Sequence, residues 1–112
     1  MNWTNDGAEV FVPDGRPETE ALARTTRMGV GAHQDDMEIL AYHGILQGFD
    51  REDEAFLGTV VTNGSGSARA GIYESFSDAQ MCRVRREEQK KAAVIGGYAA
   101  AALLVYPSSM VK

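Results

Sequence analysis

The segment Ala32-His33-Gln34-Asp35-Asp36-Met37-Glu38 holds the residues of this chain with the clearest capacity for chemistry. An imidazole nitrogen and a carboxylate oxygen are both good zinc ligands. Because His33, Asp35 and Asp36 are close in sequence, a tight loop can point their side chains into one pocket. One carboxylate can then bind a metal while the other stays free to accept a proton. The spacing therefore indicates a metal site with a neighbouring base.

A simpler interpretation of Asp36 is that it caps a helix. Aspartate directly before a helix commonly accepts hydrogen bonds from the first free backbone N–H groups. For Asp36 alone this interpretation is the more frequent one. It leaves His33 and Asp35 without a role, so the three residues together favour the metal site.

Composition limits the kind of protein that carries this segment. The chain has 112 residues, of which 44% are hydrophobic, which suits one small globular domain. The net charge of −5 argues against a nucleic-acid partner. Cys82 is the only cysteine, which excludes an intramolecular disulfide and fits a reducing compartment. No apolar stretch is long enough to span a bilayer. We expect a soluble, cytoplasmic protein with no membrane span.

The elements that must position the segment alternate between strand and helix. Residues 1–24, interrupted by Pro13, Gly15 and Pro17, are predicted to be an irregular N-terminal arm. Ser77 and Gln80 have the spacing of a capping box, which predicts a helix start. The predicted elements are a strand at 26–32, a helix at 37–47, a strand at 56–62, a helix from 77 to about 95, and a strand at 102–106.

This order predicts an α/β fold with a parallel sheet. In such sheets ligands bind outside the carboxyl ends of the strands. The loop at 33–36 follows the first predicted strand, and the loop at 63–69 follows the second. Both loops are therefore expected at the same ligand-binding edge.

The segment at 32–38 resembles the signature Ala-His-x-Asp-Asp-x-Glu of the PIG-L/LmbE-like deacetylases, with Gln34 where the family usually has proline. We expect that departure to alter the loop little. Val60-Val61-Thr62-Asn63-Gly64 looks like the family's second strand and glycine loop. Arg85-Arg86-Glu87-Glu88, followed by Ala92-Ala93 and Gly96, looks like its Arg-x-x-Glu helix. The resemblance covers roughly residues 26–106.

The resemblance implies a Rossmann-like, three-layer fold and a zinc-dependent hydrolase that removes an acetyl group from an N-acetylated sugar or glycoconjugate. His33 and Asp36 would be zinc ligands, and Asp35 would be the general base. Glu38 would orient the loop. Residues 25–112 would then be the N-terminal part of a deacetylase domain that this chain contains only in part.

The resemblance also implies residues that contact the substrate. Arg85 matches a substrate-contacting arginine of the family, although Arg86 is an alternative counterpart. Arg69, in the loop at 63–69, could reach a substrate phosphate or carboxylate, but a solvated loop arginine is the commoner case. Tyr73 and Phe76 could wall a sugar pocket or simply pack against the second long helix.

A catalytic zinc usually has three protein ligands, and the third is missing from this pattern. His43 is predicted about 10 Å along the helix from Asp36, too far to share a metal, and is expected to be a half-buried helix residue. Cys82 is expected to be a packing residue. Two alternatives follow: a site completed elsewhere, or a non-catalytic binding or assembly module with an incomplete metal site. Homo-oligomerisation is compatible with both.

Overall fold

Four strands form one sheet in the order β1-β4-β3-β2. The computed structural model describes residues 3–110. Strands β2, β3 and β4 run parallel, as predicted, whereas β1 pairs antiparallel with β4. The fold is therefore α/β with a mixed, mostly parallel sheet. The strands are β1 (Glu9–Phe11), β2 (Arg27–Gly31), β3 (Phe56–Thr62) and β4 (Ala100–Tyr106).

One helix lies between β1 and β2, and three helices lie in the connections between the parallel strands. One 3-10 turn lies between β3 and the last helix, and a second follows β4. Within residues 3–110, no helix has the length and apolar character needed to cross a membrane. The helices are α1 (Glu18–Ala23), α2 (Asp36–Leu40), α3 (Tyr42–Gly48) and α4 (Asp78–Ile95), and the 3-10 turns are Gly71–Tyr73 and Ser108–Met110.

The N-terminal segment differs from its prediction. Residues 1–24 were expected to be irregular, yet they contain β1 and α1. Val10 of β1 lies opposite Ala102 of β4, so β1 covers a sheet edge that three parallel strands would leave open. Pro17 is the residue before α1, where a fixed φ is compatible with helix entry. Residues 1 and 2 of the predicted arm, and residues 111 and 112 of the predicted domain, lie outside the described residues.

The single helix predicted at 37–47 is two short helices. Ala41 has φ −116° and ψ 21°, outside the helical range, and separates α2 from α3. Its backbone N–H still donates to the Met37 carbonyl, and its own carbonyl accepts from Ile45. The bend leaves Met37 and Ile45 both buried in the core.

The core lies on one face of the sheet, under α2, α3 and α4. The Phe56 ring meets the Tyr98 ring edge-on at 5.0 Å between centroids. Gly58 permits this contact, because a Cβ there would lie 2.8 Å from the Tyr98 ring. The buried cluster is completed by Met37, Ile45, Val60, Ala93, Ala101 and Leu103.

The second face of the sheet is covered unevenly. Ala100 and Ala102 of β4 are buried, whereas Met28 and Val30 of β2 are each 61% exposed. Residues 3–110 therefore cover this face at β4 and leave it open at β2. A complete three-layer arrangement is not present in the described part of the chain.

Candidate functional site

The loop that joins β2 to α2 lies beside the end of β3. The Thr62 backbone N–H donates to the Ala32 carbonyl at 3.0 Å. The buried Gln34 side chain donates through Nε2 to the Thr62 carbonyl, also at 3.0 Å. Proline could not make this second contact, so Gln34 contributes more to the loop than we expected. The two loops predicted to share one edge of the sheet do so.

His33 and Asp36 lie next to each other at this edge. His33 Nδ1 is 3.7 Å from Asp36 Oδ2, and the same oxygen accepts the His33 backbone N–H at 2.9 Å. Two donors on one tetrahedral zinc, each about 2.0–2.2 Å from the metal, lie about 3.4 Å apart. The two side chains are 55% and 34% exposed, so a ligand can approach them. They therefore fit two positions of a zinc site.

A third metal donor is not placed beside them by the described residues. Within residues 3–110, no group of three or more His, Cys, Asp or Glu side chains is arranged to hold a metal ion. His43 lies on α3 and is exposed, which corrects the expectation that it is half-buried. Cys82 is half-buried on α4, as expected for a packing residue, and burial, followed by the nearby Asp78, raises the pKa of its thiol.

Asp35 adopts a backbone conformation that few non-glycine residues occupy. Its φ of +75° lies in the left-handed region, which costs on the order of 1 kcal/mol for an L residue. Two contacts from α4 hold it there. The Asp35 backbone N–H donates to Gln89 Oε1 at 3.3 Å, and Arg85 Nη2 donates to Asp35 Oδ2 at 3.1 Å. The carboxylate itself remains exposed beside the two metal-donor candidates.

Arg85, and not Arg86, faces this loop. Arg85 Nη2 also donates to the Gln34 carbonyl at 3.0 Å, and its Nη1 pairs with Glu88 at 3.0 Å. Its side chain is only 15% exposed. Arg86 instead donates to the Gly7 carbonyl and pairs with Glu9 of β1. Of the two arginines left open by the sequence, the structure brings Arg85 to the site.

The glycine loop after β3 makes room for these contacts. Gly64 has φ +81°, and a Cβ there would lie 2.8 Å from Arg85 and 2.9 Å from Gln34 Oε1. Arg69, predicted as a substrate contact, is held inside its own loop. Its guanidinium donates to the carbonyls of Ser67 and Phe76 and to Asp78 at the start of α4. None of these hydrogen bonds reaches the His33–Asp36 loop.

Tyr73 and Phe76 pack against each other with ring centroids 5.4 Å apart, in the segment that leads into α4. The predicted capping box at the start of α4 is present: Ser77 Oγ accepts from Gln80 N, and Gln80 Oε1 accepts from Ser77 N. These contacts fix where α4 begins, and thereby which of its residues face the site.

Gln89 and Tyr98 are site residues that the sequence analysis missed. Glu38 Oε1 accepts hydrogen bonds from Gln89 Nε2 and from the Tyr98 hydroxyl, both at 2.8 Å. The signal for Gln89 was its spacing, since Met81, Arg85, Gln89 and Ala93 recur every four residues and form one helix stripe. Polar residues within an otherwise apolar stripe point into the fold. Glu38 contacts neighbouring elements, in keeping with the expectation that it orients the loop.

A cavity of about 190 Å³ adjoins the loop, lined by Gly29, Gly31, Asp36, Met37 and Leu40 among others. A larger groove of about 360 Å³ lies at the opposite edge, where the parallel strands begin. Within it, Asp14 pairs with Arg16 at 2.9 Å and with Arg24 at 3.8 Å. Of the two candidate metal donors, Asp36 lines the smaller cavity and His33 does not.

Comparison with known proteins adds no family to this geometry: no family model matches the chain, and no curated protein or solved structure matches it at a significant level.

Proposed function

We propose that this chain carries part of the active site of a zinc-dependent N-deacetylase of the PIG-L/LmbE-like kind, built on a Rossmann-like fold. The observation that supports this most is the loop at the carboxyl end of β2. There His33 Nδ1 and Asp36 Oδ2 lie 3.7 Å apart, with the exposed Asp35 between them in sequence. The proposed substrate is an N-acetylated sugar or related amine.

His33 and Asp36 would hold the zinc ion, together with a donor that is not among residues 3–110. When bound, zinc supplies Lewis acidity toward the acetamide carbonyl. Asp35 accepts the proton of the attacking water, because its carboxylate is exposed and is the one acidic group of the loop outside the donor pair. That proton is later available for the departing amine.

Arg85 supports Asp35 and is the better of the two proposed substrate contacts. It places a positive charge 3.1 Å from Asp35 Oδ2 and holds the Gln34 carbonyl. From this position it can also contact a polar group of the substrate at the same edge. Arg69 is the weaker candidate, because its donors are engaged within the segment 67–78.

The test is metal content together with acetate release, measured on the natural protein at full length. We expect stoichiometric zinc and release of acetate from N-acetylglucosamine-type substrates. His33→Ala should lose zinc and turnover together, because it removes one donor. His43→Ala is the matched control: this exposed histidine on α3 should be replaceable with no effect on either quantity.

A non-catalytic binding or assembly module is the second candidate. It is favoured by the absence of a three-donor group within residues 3–110 and by the exposed Met28 and Val30 on β2. A full-length protein without zinc and without acetate release would support this module and contradict the deacetylase.

A further inference from the structure

We propose that Gln89 is a positioning residue for Asp35, and that Gln89, Glu38 and Tyr98 form one hydrogen-bonded chain that fixes the backbone of the loop. The importance of Asp35 for turnover rests on the proposed function. The positioning itself is a property of the fold and can be measured without any assumption about activity.

The first support is the environment of Gln89. Its side chain is 0% exposed, in the middle of α4 and beneath the loop. A buried amide is costly unless its polar atoms find partners. Both ends of this amide do: Oε1 accepts the Asp35 backbone N–H, and Nε2 donates to Glu38. The Gln89 side chain therefore connects Glu38, in the first turn of α2, to Asp35, the residue just before that helix.

The second support is the anchor at the other end of the chain. Tyr98 precedes β4, and its ring packs edge-on against Phe56 in the core. Its hydroxyl donates to Glu38 Oε1 at 2.8 Å. Burial, and then the hydrogen bond to Glu38, raise the pKa of Tyr98, so the hydroxyl keeps its proton and remains a donor. Through Glu38 and Gln89, the position of Asp35 is tied to the core.

The third support is the need for such a tie. Asp35 is left-handed at φ +75°, and its side chain makes no capping hydrogen bond to α2 that would hold this conformation locally. The contacts that hold it come from α4, 50 and 54 residues away in sequence. Without Gln89, Arg85 alone would hold the residue, and the backbone could relax. The carboxylate would then leave the direction that proton transfer requires.

The experiment begins with Gln89→Met, which keeps the length of the side chain and removes both hydrogen bonds. NMR on the full-length protein measures how fast the Asp35 amide hydrogen exchanges with solvent. In Gln89→Met this exchange should be about fivefold faster, or more, than in the natural protein. Acetate release should fall about 10- to 100-fold in kcat with little change in KM. Gln47→Met, at a half-buried glutamine of α3, is the matched control and should change neither quantity.

Exchanging the two partners provides a rescue that simple packing does not predict. Gln89→Glu alone brings two carboxylates together and should disturb the loop. Adding Glu38→Gln places an amide nitrogen where Glu38 Oε1 accepted both hydrogen bonds. Residue 38 then donates one N–H to residue 89 and the other to the Tyr98 hydroxyl oxygen. Residue 89 still accepts from Asp35. The double variant should therefore recover slow Asp35 exchange, and turnover with it.

Unchanged Asp35 exchange in Gln89→Met would overturn the proposal, as would a double variant no better than Gln89→Glu. If Gln89→Met does not fold, the comparison of the double variant with Gln89→Glu decides alone. Altered exchange in a protein that releases no acetate from any N-acetylated amine would keep the positioning role and contradict the proposed function. The two failures are therefore distinguishable.

Discussion

Asp35 and Asp50 occupy the same backbone region at opposite edges of the sheet. Asp35 follows β2 with φ +75°, and Asp50 precedes β3 with φ +53°. Asp35 receives hydrogen bonds from Arg85 and Gln89 of a distant helix. Beside Asp50, the half-exposed Arg51 pairs, within residues 3–110, only with its near neighbours Asp53 and Glu54.

The difference lies in the neighbouring side-chain contacts: residues of a distant helix bond to Asp35, whereas the ion pairs beside Asp50 join Arg51 to other residues of the same turn. Exposed ion pairs between near neighbours contribute little and are screened by salt. Hydrogen bonds between segments distant in sequence fix a loop against the rest of the fold, above all where they are partly buried, as the bond from Asp35 to Gln89 is. A left-handed aspartate is thus an ordinary turn residue at the Asp50 edge. At the Asp35 edge it is held by the same contacts that position the candidate site.

The largest expected effect is the difference in stability between two glycine-to-alanine substitutions, one at each of these edges. Gly64→Ala should lower the free energy of unfolding by about 3 kcal/mol, because the left-handed backbone and the contacts with Arg85 and Gln34 both oppose a Cβ. Gly15→Ala should cost about 1 kcal/mol, since φ is +77° but no atom lies within 4 Å. Urea unfolding measures both, and equal losses would contradict the tight packing at Gly64.

An intermediate effect is expected at Tyr98, whose hydroxyl connects the core to Glu38. Tyr98→Phe should lower the free energy of unfolding by about 1 kcal/mol at neutral pH. Because folding raises the pKa of Tyr98, the contribution is fully present below about pH 10. Above that pH the unfolded chain loses the Tyr98 proton while the folded chain keeps it, so the contribution declines as pH rises.

The check is urea unfolding of both proteins from pH 7 to pH 11, with Tyr106→Phe, at the end of β4, as a control. The difference between the natural protein and Tyr98→Phe should shrink above about pH 10. A difference that grows with pH would show that the Glu38 contact does not hold the hydroxyl in its protonated form.

The smallest effect distinguishes the two aspartates directly. Asp50→Gly should raise the free energy of unfolding by a few tenths of a kcal/mol, because relief of the left-handed strain slightly exceeds the entropy lost by glycine. Asp35→Gly gains the same relief but loses the hydrogen bond from Arg85, so it should be neutral or slightly destabilising. If both variants are stabilised equally in urea unfolding, the Arg85 contact contributes nothing to stability.

Much of the fold followed from local sequence signals. The β-branched residues of 56–62 predicted the strand that is β3, and the Ser77–Gln80 capping box marks the start of α4. These features depend on residues that are neighbours in the chain. The three residues of β1 carry no such signal, because their pairing with β4 joins segments about 90 residues apart. The break at Ala41 likewise has no proline or glycine to announce it.

The candidate site was partly predictable for the same reason. His33, Asp35 and Asp36 form a local pattern, and the order of strands places their loop at the ligand-binding edge. The partners of that loop come from packing. Gln34 contacts the end of β3, and Gln89 contacts two residues of a segment more than 50 positions earlier. Arg85 faces the loop in place of Arg86 because of how α4 is rotated about its axis against the sheet, and that rotation depends on packing.

The most direct test of the central claim is the Asp35→Asn variant of the full-length protein, assayed for zinc content and acetate release. Asparagine is close to isosteric and can still accept a hydrogen bond from Arg85, but it cannot take a proton from water. We expect zinc content to be retained and kcat to fall about 10²- to 10⁴-fold. Asp50→Asn should retain both zinc and turnover. Unchanged turnover in Asp35→Asn would contradict the role of Asp35 as the base.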